Sequence, residues 1–232
     1  MDESKAMSKQ RPHAPPFVSS GTSRDESAPL VVIVDDDDDV RDALQELLAS
    51  VSIDSVAYCS PEKIRNAVLP DQPGCLILDI RMPGQSGMDL YRELSNRGEN
   101  KPVIFVTGHG DIPMSVQAMR AGAVDFLTKP VREQSLLDAV AAAINSDIEK
   151  RASDRVKNEC SQKFSVLTPR EREVMREMAL GKLNKQIAFE LGISEVTVKL
   201  HRGNLMRKMG TRYIGELIRA WDVLPKHVRE AG

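Results

Sequence analysis

A doubly wound α/β domain on a five-stranded parallel sheet, followed by a small all-α domain, is the architecture this sequence predicts. Three observations carry it. From Leu30 onward, short apolar runs alternate with amphipathic stretches. After Phe164 the strand-like runs stop and only helical periodicities follow. Charge divides along the same line: residues 1–165 carry 19 Lys and Arg against 26 Asp and Glu, and residues 166–232 carry 13 against 8, within a net charge of only −2. An acidic front and a basic back assign any polyanionic partner to the C-terminal part.

The 232 residues suffice for two domains of ordinary size, and a hydrophobic fraction of 41% with only 4% aromatics points to aliphatic cores. Residues 1–29 are rich in Ser, Pro, Lys and Asp and predict a disordered tail. The runs LVVIV (30–34), IDSVAY (53–58), CLIL (75–78), PVIFV (102–106) and AVDFL (123–127) read as strands buried on both faces. Between them VRDALQELLAS (40–50), PEKIRNAV (61–68), MDLYRELSN (88–96) and PMSVQAMRA (113–121) read as helices, and a last one starts near Arg132. Ser60 before Pro61 has the N-cap and first-turn pattern. Repeated strand–helix pairs make a parallel sheet over residues 30–145. Right-handed crossovers then cover both faces and leave any site at the carboxyl ends of the strands.

Residues 146–165 are polar and charged, with apolar residues too sparse for a core. Ile144, Ile148, Ala152 and Val156 step by four, so the last helix is expected to continue as a helical linker. In residues 166–232, LTPREREVMREMA, NKQIAFELG, SEVTVKLHRGNLMRKM and RYIGELIRAW are four helical patterns. Thr168, Pro169 and Glu171 form a capping-box signature at the first of them.

The three cysteines, Cys59, Cys75 and Cys160, share no metal-ligand or C-x-x-C spacing. Scattered thiols fit a reducing compartment, and Cys75 within CLILD reads as core. No segment has the length of a membrane span, and the N-terminus lacks an apolar signal stretch. The expectation is therefore a cytoplasmic protein with no membrane partner.

Chemistry gathers at the strand ends. Strand one closes on Asp35 and Asp36, strand three on Asp79, strand four on Thr107, and strand five on Thr128-Lys129-Pro130. In a parallel sheet these ends share one edge. Crowded carboxylates repel unless a cation sits among them, and hard oxygen ligands in this number suit Mg²⁺. A carboxylate between Mg²⁺ and an ammonium is set up to attack phosphorus, with Thr107 able to donate to a phosphoryl oxygen. Asp37, Asp38 and Asp39 read instead as helix-capping acids.

Residues 30–145 resemble the receiver domain of two-component systems, a flavodoxin-like fold, in the FixJ/NodW-like branch. The matching words are VVIVDDDDDVR, LILDIRMPGQSGMDL and VIFVTGHGDIPMSVQAMRAGAVDFLTKPV. The resemblance implies that Asp79 is the phosphoacceptor and that Asp35, Asp36, Asp79 and the backbone carbonyl of Arg81 hold Mg²⁺. It implies that Lys129 pairs with the phosphoryl group, and that Thr107 and Phe126 form the switch pair. It also implies a sensor histidine kinase as donor and a homodimer formed on phosphorylation through the fourth helix, fifth strand and fifth helix. Self-dephosphorylation would be the only enzymatic step.

In the C-terminal part, NKQIAFELGIS supplies the first helix and tight turn of a helix-turn-helix, and EVTVKLHRGNLMRKM the recognition helix. Val198, Leu205 and Met209 line its packing face. Lys199, Gly203, Asn204 and Arg207 face outward, with Arg202 near the edge. Five basic and no acidic residues lie between Lys199 and Arg212, the footprint of phosphate contacts. The stretch from Leu167 to Gly210 closely resembles the LuxR/NarL-type output domain. By that resemblance Lys199, Gly203 and Asn204 approach bases, while Asn184, Lys185, Thr197 and Lys208 meet the DNA backbone. His201 matches a packing position, and the helix around Tyr213 to Trp221 forms the DNA-bound dimer contact. The likeness further implies double-stranded DNA and RNA polymerase as partners, and transcriptional activation of the nodulation kind in a soil or symbiotic proteobacterium.

Three other readings are weighed against this one. A haloacid-dehalogenase-type phosphohydrolase also uses an Asp-x-Asp motif, a Thr, a Lys and Mg²⁺, but no further strand with paired acids follows Lys129 and there is no cap insertion. An unphosphorylated docking module would not require Asp79, Thr107 and Lys129 together. A sigma-like role lacks a promoter-melting region.

Overall fold

The computed structural model describes residues 28–67, 69, 71–108 and 112–230. The tail expected over residues 1–29 therefore lies outside the described residues, apart from Ala28 and Pro29. Uninterrupted apolar character puts β1 (Leu30–Val34), β3 (Gly74–Asp79) and β4 (Val103–Thr107) at the centre of a sheet, buried along their whole length. With β2 (Asp54–Tyr58) and β5 (Asp125–Thr128) they form one parallel sheet in the order β2-β1-β3-β4-β5. The expectation that β2 and β5 are buried on both faces fails. Both are largely half-buried, and Asp54 and Thr128 are exposed. An edge strand has one neighbour and one wet border, so it accepts polar residues that a central strand would not.

Alternating side chains feed two cores. Val31, Ile33, Ile77 and Ile104 face α1 (Asp38–Ser50) and the first half of α5 (Glu133–Ser165), through Leu44, Leu48, Leu136 and Val140. Val32, Leu76, Leu78 and Phe105 face α2 (Pro61–Arg65), α3 (Gly87–Asn96) and α4 (Ile112–Arg120), through Ile64, Leu90 and Ala118. Cys75 is fully buried, and burial pushes its thiol up to about 12. α2 ends sooner than its pattern suggests. Ser60 occupies its N-cap position, but the hydroxyl serves the Glu62 carboxylate, which it holds below the usual range, rather than a backbone amide.

α5 runs unbroken for 33 residues, so the linker is helical as expected. It is not bare, however. Asp147 is buried and accepts the Gly74 amide at 3.0 Å and Arg151 Nε at 2.8 Å, which ties the helix to the start of β3. At the other end Phe164 is buried beside Trp221, with ring centroids 6.2 Å apart. Beyond it α6 (Pro169–Ala179), α7 (Asn184–Leu191), α8 (Glu195–Met209), α9 (Ile214–Val223) and a short α10 (Lys226–Glu230) surround a separate core. That core holds Val174, Met175, Met178, Ile187, Val198, Leu205 and Met209. The capping box at α6 is formed: the Glu171 amide donates to Thr168 Oγ1 at 3.3 Å, and the Thr168 amide to Glu171 Oε2 at 2.8 Å. α10 has no counterpart in the sequence reading, because five residues are too few to show a period.

Candidate functional site

Strand order reverses at β1, which has β2 on one side and β3 on the other. Such a switch point opens a crevice at the carboxyl ends of the strands. Asp35 and Asp36 follow β1, Asp79 and Thr107 close β3 and β4, and Lys129 follows β5. Carboxylate oxygens of Asp35, Asp36 and Asp79 all lie within 4.8 Å of one another. Lys129 Nζ donates to Asp35 Oδ2 and to Asp79 Oδ2, at 2.7 Å in each case. The remaining oxygens are also oriented: Asp35 Oδ1 accepts the Asp37 amide at 3.0 Å, and Asp79 Oδ1 accepts the Arg81 amide at 2.9 Å. Thr107 is fully buried, and its carbonyl accepts the Lys129 amide at 2.8 Å. Phe126 is half-buried and packs on the core that includes Met88 and Ala118.

Electrostatics here are unbalanced. Three carboxylates share one ammonium. Burial raises the Asp35 carboxyl above its ordinary value against the pull of Lys129 and the Asp37 amide, and repulsion from Asp79 adds to the rise. Burial alone would lower the Lys129 ammonium, but its bonds to both carboxylates outweigh that and hold it above the ordinary lysine value. The two directions agree: one ammonium divided between two acids is well served, while each acid receives only part of it. A hard divalent cation of the Mg²⁺ type fits this oxygen set and supplies the missing positive charge.

The run of five aspartates resolves into distinct roles. Asp35 and Asp36 join the pocket. Asp37 is the N-cap of α1 and accepts the Asp39 and Val40 amides, and Asp38 pairs with Arg41. Asp38 and Asp39 also stand in the first turn, where negative charge meets the positive helix end. α3 begins directly over the pocket floor. A Cβ on Gly87 would stand 2.1 Å from the Asp79 carbonyl oxygen, so only glycine allows this approach.

The second candidate site is the outer face of α8. Ser194 caps it, and the Thr197 amide donates to Ser194 Oγ at 3.1 Å. Gly192, at φ 65, makes the left-handed turn from α7 that lets α8 cross it. Val198, Leu205 and Met209 are buried as expected, and Lys199, Gly203 and Arg207 are exposed. A Cβ on Gly203 would meet nothing within 4 Å, so the backbone there is open to an approaching surface. Lys185 is also exposed, His201 is half-buried, Arg207 donates to Asn204 Oδ1 at 3.1 Å, and Arg202 bonds Asn184 Oδ1 across the two helices. Lys208 departs from the expectation that it meets DNA backbone. Its Nζ lies 2.6 Å from Glu171 Oε2, a carboxylate almost fully enclosed in the bundle. Sequence reasoning missed two residues: Val196 and Leu200, 76% and 63% exposed, stand on the same outward face as Gly203 and Arg207. Attention to charge alone hides them. Their spacing of four, opposite the buried stripe, was the available signal.

No described helix is long and apolar enough to cross a membrane. Residues 31–141 match the response regulator receiver domain, and residues 165–221 match the bacterial regulatory proteins of the luxR family. The chain is 46% identical to Nodulation protein W of Bradyrhizobium diazoefficiens over 195 residues, 84% of this chain and 86% of that protein. It is 45% identical to the response regulator protein TodT of Pseudomonas putida over 197 residues, 85% and 87% of the two chains. The response regulator StyR, at 43% identity, superposes with a TM-score of 0.76 over 84% of this chain and 99% of that one.

Proposed function

The chain belongs to the two-component response regulators that join a receiver domain to a LuxR-type DNA-binding domain, and on that premise we propose that it is a transcriptional activator switched by phosphorylation of Asp79. The observation that carries this reading is the Lys129 ammonium, 2.7 Å from both Asp35 and Asp79, with Asp36 beside them at the sheet's carboxyl edge. Asp35, Asp36 and Asp79, with the Arg81 carbonyl, would hold Mg²⁺. Bound there, Mg²⁺ would supply positive charge to the attacking carboxylate and the phosphoryl oxygens.

An Asp79 oxygen attacks phosphorus, the N–P bond of the kinase's phosphohistidine breaks, and an acyl phosphate forms while the imidazole leaves. Lys129 then passes from the carboxylate to the phosphoryl oxygens. Thr107, buried one strand away, turns its hydroxyl to the new dianion, and Phe126 takes the vacated space. The chain consumes no other substrate, and its only turnover is loss of its own phosphoryl group.

Exposed Ile112, Val116 and Met119 on α4 support a phosphorylation-dependent homodimer through the face of α4, β5 and α5. Two output domains then meet a two-fold site on double-stranded DNA. Lys199, Gly203 and Asn204 approach bases, and Asn184, Lys185, Thr197, Arg202 and Arg207 hold the backbone. RNA polymerase is the partner of the DNA-bound dimer. Similarity to Nodulation protein W supports nodulation genes as targets.

The test is phosphoryl uptake from acetyl phosphate with Mg²⁺, reading mass and oligomeric size together in wild type and Asp79→Asn. The expected result is one phosphoryl group and a dimer in wild type only. Uptake by neither protein would overturn the reading in favour of a docking module.

A further inference from the structure

Arg41 lies outside the set of residues that phosphoryl chemistry requires, yet it is built into the pocket's rim. It stands in the first turns of α1 with only 13% of its side chain exposed. Its Nη1 donates to the Asp35 backbone carbonyl at 2.7 Å, and its Nη2 pairs with the Asp38 carboxylate. The Asp35 carbonyl belongs to the peptide that joins Asp35 to Asp36, and the tilt of that peptide plane sets where the Asp36 side chain leaves the backbone. Asp35 is already held by the Lys129 ammonium and the Asp37 amide. Asp36 is exposed, and among the described residues no side chain bonds its carboxylate. Its aim is therefore set by the backbone, and Arg41 is the side chain that grips that backbone.

We propose that Arg41 is a positioning residue for the acidic pocket: by fixing the Asp35–Asp36 peptide plane it directs the Asp36 carboxylate toward a divalent cation shared with Asp35 and Asp79. The inference rests on the reading of these three carboxylates as a cation site. The planar guanidinium is suited to the task, because two of its donors serve a carbonyl and a carboxylate at once, which a single ammonium cannot do with the same rigidity. Asp38 is largely exposed, so its pairing adds little energy; its contribution is to orient the guanidinium. Residues behind a metal's ligands typically shift affinity by about 10–100-fold when removed.

The experiment is a calorimetric titration of the full chain with Mg²⁺, comparing wild type, Arg41→Gln, Arg41→Lys and Asp36→Asn, with thermal unfolding of each protein free of metal. Arg41→Gln should weaken Mg²⁺ binding by about tenfold or more. Arg41→Lys should fall between it and wild type, and carries the comparison should the glutamine variant not fold. The Mg²⁺ concentration giving half-maximal phosphorylation should rise by the same factor. Wild-type Mg²⁺ affinity in both Arg41 variants would overturn the proposal, whatever happens to their unfolding temperatures. Equal affinity in wild type and Asp36→Asn would overturn the cation-site reading itself, a failure distinct from one confined to Arg41.

Discussion

Replacing Lys208 with alanine separates two roles for one side chain. Family resemblance sends it to the DNA backbone, whereas the structure gives its ammonium to Glu171 at 2.6 Å. The Glu171 side chain is 4% exposed, and Oε2 also accepts the Thr168 amide at 2.8 Å. Without Lys208 a buried carboxylate keeps only its bonds from Thr168 and loses its counter-charge. Removing one partner of a fully buried pair costs about 3–5 kcal/mol; Lys208 is 30% exposed, so solvent screens part of this and about 2 kcal/mol is expected. In a domain of this size about 2 kcal/mol lowers Tm by roughly 8–16 °C. Trp221 is the only tryptophan and packs on Phe164 in the C-terminal core, so its fluorescence reports unfolding there and not in the receiver. Salt dependence supplies the other half of the test: each phosphate contact contributes about 0.9 to the slope of log affinity against log salt. Lys185→Ala, at an exposed lysine assigned to the DNA backbone, should lower that slope by about 1, and Lys208→Ala should leave it nearly unchanged.

The pair also has a pH signature. Burial would raise the Glu171 carboxyl, but bonds from Lys208 and Thr168 outweigh it and hold it below the ordinary value of 4.5. A depressed acid stabilises the fold above its unfolded value and loses that contribution as pH falls through its folded value. The gap in unfolding temperature between wild type and Lys208→Ala should therefore narrow below pH 4.5. Coincident Trp221 melts at neutral pH, together with a slope reduced by about 1 in Lys208→Ala, would refute the structural role and restore the phosphate contact.

Gly87→Ala should destabilise the receiver by about 3 kcal/mol, since the new Cβ meets the Asp79 carbonyl oxygen at 2.1 Å and backbone must move; a urea midpoint followed by circular dichroism reads this, and an unchanged midpoint would contradict it. Asp147→Ala leaves the Gly74 amide without its acceptor and Arg151 paired with Asp71 alone, at a cost of about 2 kcal/mol. Faster hydrogen exchange at the Gly74 amide is the specific mark of that loss. Leu200→Ser should remove about 1 kcal/mol of preference for a thymine methyl in the major groove. Replacing operator thymines with uracil should then weaken wild type more than the variant.

What the sequence disclosed depended on repetition. The central strands, the two cores, α8 to the residue and the capping box at Thr168 were legible, because each rests on several residues at a fixed spacing. The acidic pocket was legible for another reason: five polar residues at consecutive strand ends have no packing purpose, and topology alone brings them to one edge. Single residues with no period behind them were not legible. Asp147 and Phe164 sit in a charged stretch that looks solvated, yet each is buried against a distant segment. Arg41 looks in the sequence like an exposed helix residue, and Lys208 like one more charge on a basic helix. In all four cases the partner lies far along the chain or on the backbone, where sequence spacing carries no signal.

The same distinction suits the pocket to the switching proposed for it. Core residues agree with one another at every level, so their removal lowers stability and little else. In the pocket they disagree: three carboxylates within 4.8 Å face a single ammonium, and burial already raises Asp35. Such a site is held together by the sheet around it, not by its own contacts. A cation bound there would relieve the repulsion, and the proposed phosphoryl group would replace one carboxylate's claim on Lys129 with a stronger one. The proposed rearrangement would therefore be driven from a site already under tension. α5 is in a position to carry it, because Asp147 fixes that helix to β3 at one point and Phe164 fixes it in the C-terminal core at another.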